Sequence, residues 1–475
     1  MIDFNKTFLI FGTGSTGSAS ISFCLNNKIK FFITDDNKEN LQNLIVNNRK
    51  IDESYKLYEY NEQILKNKHI EYILLSPSIH AQVNPHKIVQ LANKLNIKII
   101  PDIDLFYNYV QKYNREHNCS KKLIGITGTN GKSTTTALTT HLLLQFDKKA
   151  IACGNIGVNT LSIDVEQYDF FVVEMSSYNL YLMQDTIFDY SILLNITEDH
   201  IEYHGTMQNY VLAKEKIVKH SKKTIICIDD DYTKIIEQKN RQTKDIIKVS
   251  TQNILETGYS WLNNSYYSNK NVIYKCIFNN LLGKHNVENI LCSVVCVFCI
   301  LNNTNININI QNIFELVKSF NGLEHRIQFV KNINGIDFYN DSKGTNANST
   351  QVALQSFEQR PIYLIAGGKR KTMGFNFLRN DLKYVKCVFL IGEATESFSI
   401  ELQQVGKKYI KCNTMKNAVN TAYNTIMQDF QWNIKAITQQ KPVVLLSPLC
   451  ASFDQYTSFE ERGKDFCTTI NNLLQ

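Results

Sequence analysis

The residues best suited to chemistry in this chain are Gly128-Thr129-Asn130-Gly131-Lys132-Ser133-Thr134. An apolar run before them (Leu123, Ile124, Ile126) has the character of a buried strand, and Ala137, Leu138 and Leu142 after them form the apolar stripe of a helix. Strand, glycine turn and helix start together make phosphate-binding geometry. Glycines let the backbone curl so that several N–H groups face one anion, and the helix N-terminus adds a favourable dipole. Lys132 then reaches the outer phosphates, and the Ser133 or Thr134 hydroxyl holds Mg²⁺. Ile126 stands where the general phosphate-loop pattern has its first glycine. The spacing predicts a nucleoside triphosphate site.

Two strand ends complete the centre. Asp169–Glu174 is an apolar strand ending in a carboxylate, suited to Mg²⁺ directly or through water. Ser191–Leu194 leads into Asn195-Ile196-Thr197-Glu198-Asp199-His200, which forms a rim of the same cleft. Taken alone, His200 is a structural histidine, Lys214 a surface lysine on a helix, and Asp229-Asp230-Asp231 a turn. Asn286 and Asn289 share one helix face, where their amides suit either a nucleotide or helix capping.

The elements that must position these residues are strands alternating with helices, which predicts parallel sheets with helices on their faces. Residues 1–112 carry strands at Phe8–Phe11, Phe31–Thr34, Tyr72–Leu75 and Ile97–Ile100. Gly12-Thr13-Gly14-Ser15-Thr16-Gly17 follows the first strand and Asp35 ends the second. That pattern predicts a nucleotide diphosphate on a helix N-terminus. An NAD-dependent oxidoreductase would use the same glycines, but it leaves the Gly128–Thr134 loop and the third block unexplained. A polar stretch, Tyr113–Lys121, reads as a linker into residues 113–321. Residues 322–475 carry Gly322-Leu323-Glu324-His325-Arg326, Asn340-Asp341-Ser342-Lys343-Gly344-Thr345-Asn346, the cationic turn Lys369-Arg370-Lys371 and Leu446–Gln455. Strands are predicted there at Ile336–Tyr339, Ile362–Ala366, Cys387–Ile391 and Val443–Leu446.

Composition bounds the reading. A chain of 475 residues suggests about three domains, and 43% hydrophobic with 20% charged residues is globular usage. A net charge of +7 with no dense basic tract gives no support for nucleic acid. The 12 cysteines suit buried thiols in a reducing cytosol. The strand-like run near the N-terminus leaves no secretory signal pattern. Ile290–Leu301 is too short to span a bilayer and is predicted to be a buried helix. A cytoplasmic protein without membrane contacts is expected.

Seven ordered motifs together resemble the Mur ligase family over essentially the whole chain: Gly128–Thr134, Glu174–Ser177, Asn195–His200, His285-Asn286, Gly322–Arg326, Asn340–Asn346 and Leu446–Gln455. The resemblance implies three α/β domains: a Rossmann-like UDP-sugar domain (1–112), a central P-loop domain (113–321) and a Rossmann-like amino-acid domain (322–475). It implies a monomer that adds D-glutamate to UDP-N-acetylmuramoyl-L-alanine with ATP and Mg²⁺, through an acyl phosphate. Another Mur-type or folylpolyglutamate-synthase-like ligase is the alternative.

By the same resemblance Lys132, His200 and Lys214 are catalytic, with Lys214 converted to a carbamate. Gly128, Thr129, Asn130, Gly131, Lys132, Ser133, Thr134, Asn286, Arg326 and Asp341 bind ATP, with His325 beside them. Ser133, Glu174, His200 and Lys214 serve the metals. Ser15, Thr16, Asp35 and Asn155 contact the UDP-sugar, and Thr345, Lys371, Ser452, Phe453 and Phe459 the amino acid. Departures from the family pattern are Ser78 for glycine, Asn179 for glutamine, Gly344 for alanine and the basic pair Lys369-Arg370.

Overall fold

Buried β-branched and aromatic runs dictate three large sheets. The computed structural model describes residues 2–46, 49–77, 79–275, 284–303, 308–320, 322–370 and 373–473; Ser78 and Lys371 lie outside them. The chain forms two compact units, Met1–Ile277 with Val287–Val317, and Phe278–Asn286 with Lys318–Gln475.

The first unit holds a two-stranded antiparallel pair, Ile45–Val46 with Arg49–Lys50, and two large sheets. One has four parallel strands in the spatial order Phe31–Thr34, Thr7–Phe11, Ile70–Leu75, Lys98–Ile100. The other has nine strands, and the run Lys122–Thr127 lies inside it between Phe170–Glu174 and Phe188–Leu193. All three strands are buried almost throughout, as the continuous apolar runs require. Gly125 is needed there, since a Cβ would stand 2.9 Å from the Phe188 ring. The sheet continues past Asp245–Ser250 into an antiparallel extension, Tyr259–Leu262, Ser265–Ser268 and Asn271–Lys275, that the sequence pattern did not reveal.

The second unit contains a six-stranded sheet, mostly parallel, in the order Gln328–Ile333, Ile336–Asn340, Val443–Leu446, Ile362–Gly367, Val385–Ile391, Tyr409–Asn413. The predicted α/β class and the predicted strands are therefore present. The expected linker is mostly helix, because Asp102–His117 carries its apolar face through Val110 before ending at Asn118 in a left-handed cap. The apolar run Ile290–Leu301 lies in the buried helix Lys284–Asn302. Cys296 and Cys299 sit about one turn apart on it, both with thiols pushed up by burial and therefore unreactive. Among the described residues no helix is long and apolar enough to cross a membrane.

Candidate active site

Strand order brings the chemistry together. The register pairs Ile126 with Glu174 and Thr127 with Leu193, so the phosphate loop, the Glu174 carboxylate and the Asn195–His200 turn leave adjacent strands at their C-terminal ends. Open α/β sheets bind ligands at that edge.

The loop is held from several sides. Gly131 has φ +83° and caps the helix Lys132–Gln145 without any side-chain bond, so the N-terminus of that helix, with its favourable dipole for an anion, opens directly from the loop. Thr129 N–H donates to the Asn195 carbonyl at 2.7 Å. The Asn195 side chain accepts from Asn130 N–H at 2.9 Å. Thr129 Oγ1 lies 2.9 Å from the Tyr210 hydroxyl and donates to the Thr197 carbonyl at 3.1 Å.

Two ammonium groups converge on this loop. Lys132 Nζ donates to the Gly128 and Thr129 carbonyls at 2.9 and 2.8 Å. Lys214 Nζ donates to the same Gly128 carbonyl at 2.8 Å and meets Thr127 Oγ1 at 3.3 Å, above the Tyr210 ring. Lys214 is 1% exposed, so it is not the solvated lysine that helix position alone suggested. Burial, then the Lys132 charge, push its ammonium well below the ordinary value, while Asp199 and Glu174 oppose the shift.

Glu174 ends its strand buried. Its Oε1 accepts from Asn155 Nδ2 at 3.3 Å, and its Oε2 is a buried oxygen with no hydrogen-bond partner among the described residues. An unpartnered buried carboxylate oxygen fits a cation. Among the described residues no group of three or more His, Cys, Asp or Glu could by itself hold a metal. The donor set therefore suits Mg²⁺, which binds through one or two carboxylates together with water and phosphate oxygens. His200 adopts φ +54° and binds the Tyr178 hydroxyl through Nδ1 at 2.8 Å, with Asp199 3.4 Å from Nε2. Its ring faces Tyr178, Asp199 and Glu202 and lies 6.3 Å from the ring of Tyr210, whose hydroxyl meets Thr129 of the loop.

In the first sheet, the helix Ser15–Asn26 starts without a side-chain cap, and Ser15 and Thr16 form its first turn. A Cβ on Gly17 would stand 2.0 Å from the Gly12 carbonyl, so this glycine permits the loop to close on the helix. Asp35 is tied to the loop by Thr13 N–H at 2.9 Å and Thr13 Oγ1 at 2.8 Å. One carboxylate oxygen thus orders the turn and the other accepts from Asn37 N–H at 2.9 Å.

In the second unit, strand ends at Asn340, Gly367 and Leu446 deliver the remaining motifs to one edge. Asp341 is buried, accepts from Ser447 Oγ at 2.7 Å, and is pushed up to about 7 by desolvation. His325 Nδ1 accepts from Asn340 Nδ2 at 2.9 Å, which leaves its buried Nε2 carrying the proton without a partner among the described residues. Arg462 is wholly buried and bonds Ser342 Oγ and the Ser342 and Cys450 carbonyls at 3.0, 2.8 and 3.1 Å. It welds the Asn340–Asn346 and Leu446–Gln455 segments together. Phe459 lies 5.0 Å beneath Lys343 Nζ, Ser452 is buried, and Phe453 is 69% exposed. Thr345 follows at the same edge, one residue before the helix-capping Asn346.

Comparison with known proteins matches these parts in order. The Mur ligase middle domain profile covers residues 126–297, and the Mur ligase glutamate ligase domain profile covers residues 325–432. A UDP-N-acetylmuramoylalanine–D-glutamate ligase of Rickettsia bellii is 34% identical over 98% of this chain and 97% of its own length. One from Wolbachia pipientis is 31% identical over 99% and 97%. The chain belongs to the Mur ligase family.

The fold agrees: a UDP-N-acetylmuramate-alanine ligase from Thermotoga maritima superposes with a TM-score of 0.57 at 16% identity, covering 98% of this chain and 99% of that one. Against the Mur ligase pattern, the departures acquire physical form. Asn179 accepts from the Ser176 hydroxyl, folding back on the turn that follows Glu174. At Gly344 a Cβ would stand 2.5 Å from Asp341 Oδ2 and 2.7 Å from Ser447 Oγ, so this chain packs a carboxylate where an alanine methyl would lie. Arg370 pairs with Glu401, and the Lys369 backbone bridges Ala451.

Tyr210 escapes sequence reasoning as part of the site, and the sequence shows Asn195 only as the start of the Asn195–His200 rim, with no sign of its clamp on the loop. Tyr210 stands four residues before Lys214 on one helix face, a spacing that would have flagged it. Asn195 meets Asn130 across 65 residues of chain, a contact no local pattern encodes.

Proposed function

We propose that this Mur ligase joins D-glutamate to UDP-N-acetylmuramoyl-L-alanine, converting ATP to ADP and phosphate. The convergence of Lys132 and Lys214 on the Gly128 carbonyl, beside the unpartnered Glu174 oxygen, carries this proposal. The names of the full-length relatives support the choice of substrates. Residues 1–112 would hold the UDP-sugar through Ser15, Thr16 and Asp35, with Asn155 also contacting it. Residues 113–321 would hold ATP, and residues 322–475 the amino acid through Thr345, Lys371, Ser452, Phe453 and Phe459. Asn286, Arg326 and Asp341 would complete the nucleotide site. The enzyme would act as a cytoplasmic monomer.

In this mechanism the substrate carboxylate attacks the γ-phosphorus, the bond to the ADP oxygen breaks, and an acyl phosphate forms. The amine of D-glutamate then attacks the acyl carbon, loses a proton, and phosphate leaves. Both steps gather anions, which in water repel one another. The loop N–H groups and Lys132 supply fixed positive charge at the phosphates, where low dielectric strengthens it. Ser133, Glu174, His200 and a carbamylated Lys214 would hold Mg²⁺, which neutralises phosphate charge when bound. Burial pushes the Lys214 ammonium well below its ordinary value, which favours the free electron pair that attack on CO₂ requires, with one proton released. A coupled ADP-release assay with UDP-N-acetylmuramoyl-L-alanine and an amino-acid panel tests the proposal. Turnover with L-alanine or a diamino acid, and none with D-glutamate, overturns it.

A further inference from the structure

The helix Lys284–Asn302 passes behind the phosphate loop. Asn289 Oδ1 accepts from Thr135 Oγ1 at 3.1 Å, and Ser293 Oγ donates to the Thr135 carbonyl at 3.4 Å. Both side chains therefore meet the first turn of the loop's helix directly. Glu288, on the same helix, acts at one remove. Its Oε1 accepts from Asn195 Nδ2 at 3.0 Å. The same amide spans Asn130, with Oδ1 accepting from Asn130 N–H at 2.9 Å and Nδ2 lying 3.3 Å from the Asn130 carbonyl.

An asparagine amide presents a donor at one end and an acceptor at the other, and a half-turn exchanges them. Turned over, Asn195 would aim an NH₂ group at the Asn130 N–H and lose the bond that shapes the loop. An acceptor facing Nδ2 forbids that orientation, and an ionised carboxylate accepts only. Burial, with Asp229 and Asp230 nearby, pushes the Glu288 carboxyl up to about 7, so its ionised form is the one that orients the amide. The other groups facing Glu288 are Asp229, Asp230 and the Cys227 and Cys292 thiols. Two neighbouring acids make a half-buried glutamate costly, so packing alone does not favour one here.

We propose that Glu288 is a positioning residue for the nucleotide. By accepting from Asn195 Nδ2 it locks the amide orientation that holds Asn130, and so holds the loop in its phosphate-accepting curl. The proposal rests on the reading of Gly128–Thr134 as the ATP loop.

The test uses the full-length protein, with Mg-ADP titrated calorimetrically and KM for ATP measured by ADP release. Glu288→Leu removes the acceptor at similar bulk, while Glu288→Gln keeps an acceptor oxygen. Glu288→Leu is expected to raise the Mg-ADP Kd and the KM for ATP about tenfold, leaving the KM for D-glutamate and for the UDP-sugar unchanged. Glu288→Gln is expected to stay within about twofold of the parent protein. Melting temperatures monitor folding. If Glu288→Leu does not fold, Asn195→Asp, which sets an acceptor against Glu288, is expected to produce the same loss of Mg-ADP affinity. A Glu288→Leu or Asn195→Asp protein that binds Mg-ADP within twofold of the parent overturns the proposal, as does a Glu288→Gln protein as weak as Glu288→Leu. Tight Mg-ADP binding by a parent protein that fails to use D-glutamate would reject only the substrate assignment, and the Kd comparison would still decide the role of Glu288.

Discussion

Lys214 and Lys132 share one acceptor, the Gly128 carbonyl, at 2.8 and 2.9 Å. Two ammonium groups this close cannot both keep full charge cheaply, and the more buried one yields. Lys214 is that one. In the proposed mechanism Lys132 supplies charge at the loop, and Lys214, whose proton is the more weakly held, is the amine that reacts.

Lys214→Ala is accordingly expected to lower the rate of ADP release by at least about 10²-fold, the loss typical of removing one preorganised group. Short carboxylates such as acetate should partly restore it by filling the space of a carbamate. Activity against acetate concentration checks this.

Lys132→Ala should abolish ADP release to a similar or greater extent, about 10²–10³-fold or more. Its Nζ donates to the loop carbonyls of Gly128 and Thr129, so the circular dichroism spectrum and melting temperature should stay close to the parent.

Glu174→Gln leaves the bond from Asn155 an acceptor but removes the charge on the unpartnered oxygen. The Mg²⁺ concentration for half-maximal activity should rise about tenfold or more. A titration of Mg²⁺ at saturating ATP measures it.

Gly131→Ala combines a left-handed backbone with a Cβ 2.1 Å from Asn289 Oδ1. Strain at such a position costs about 1–3 kcal/mol, before the clash is counted. Lowered thermal stability and weakened Mg-ADP binding should appear together, because the same turn serves both.

Asp341 carries the clearest pH signature. Its carboxyl is raised to about 7 in the fold, against an ordinary value of 3.8. The folded state thus binds a proton more tightly than the unfolded chain, so stability is highest below the unfolded value and falls as pH rises from about 4 to 7, levelling off above. Asp341→Asn should flatten that fall, which amounts to a few kcal/mol, on the order of 1.4 kcal/mol for each tenfold difference in proton affinity between the folded and unfolded chain. Urea unfolding at pH 5 and pH 8 compares the two proteins.

Much of this was legible in the residues. Phe31–Thr34 and Val443–Leu446 have their predicted bounds, because a strand buried on both faces must be continuously apolar. The residues Gly128–Ser133 announced a strand-to-helix turn, which stands between Lys122–Thr127 and Lys132–Gln145, because glycines at that spacing suit a tight turn. The sequence put Lys214 on a helix, but helix position alone could not say what that face packs against, and the default of a solvated lysine was wrong.

The sequence by itself determined the chemistry available: which donors, carboxylates and cations lie at strand ends, and their order along the chain. Local rules suffice for that, because turn geometry and strand patterning depend on neighbours a few residues away. Only the tertiary structure decided which of them act together. The strand order set Phe170–Glu174 and Phe188–Leu193 on either side of the loop strand. Packing buried Lys214 at Gly128, 86 residues away, and clamped Asn130 through Asn195. Contacts of that range follow from how whole sheets and helices bury their apolar faces, a sum over the entire core that no short stretch contains.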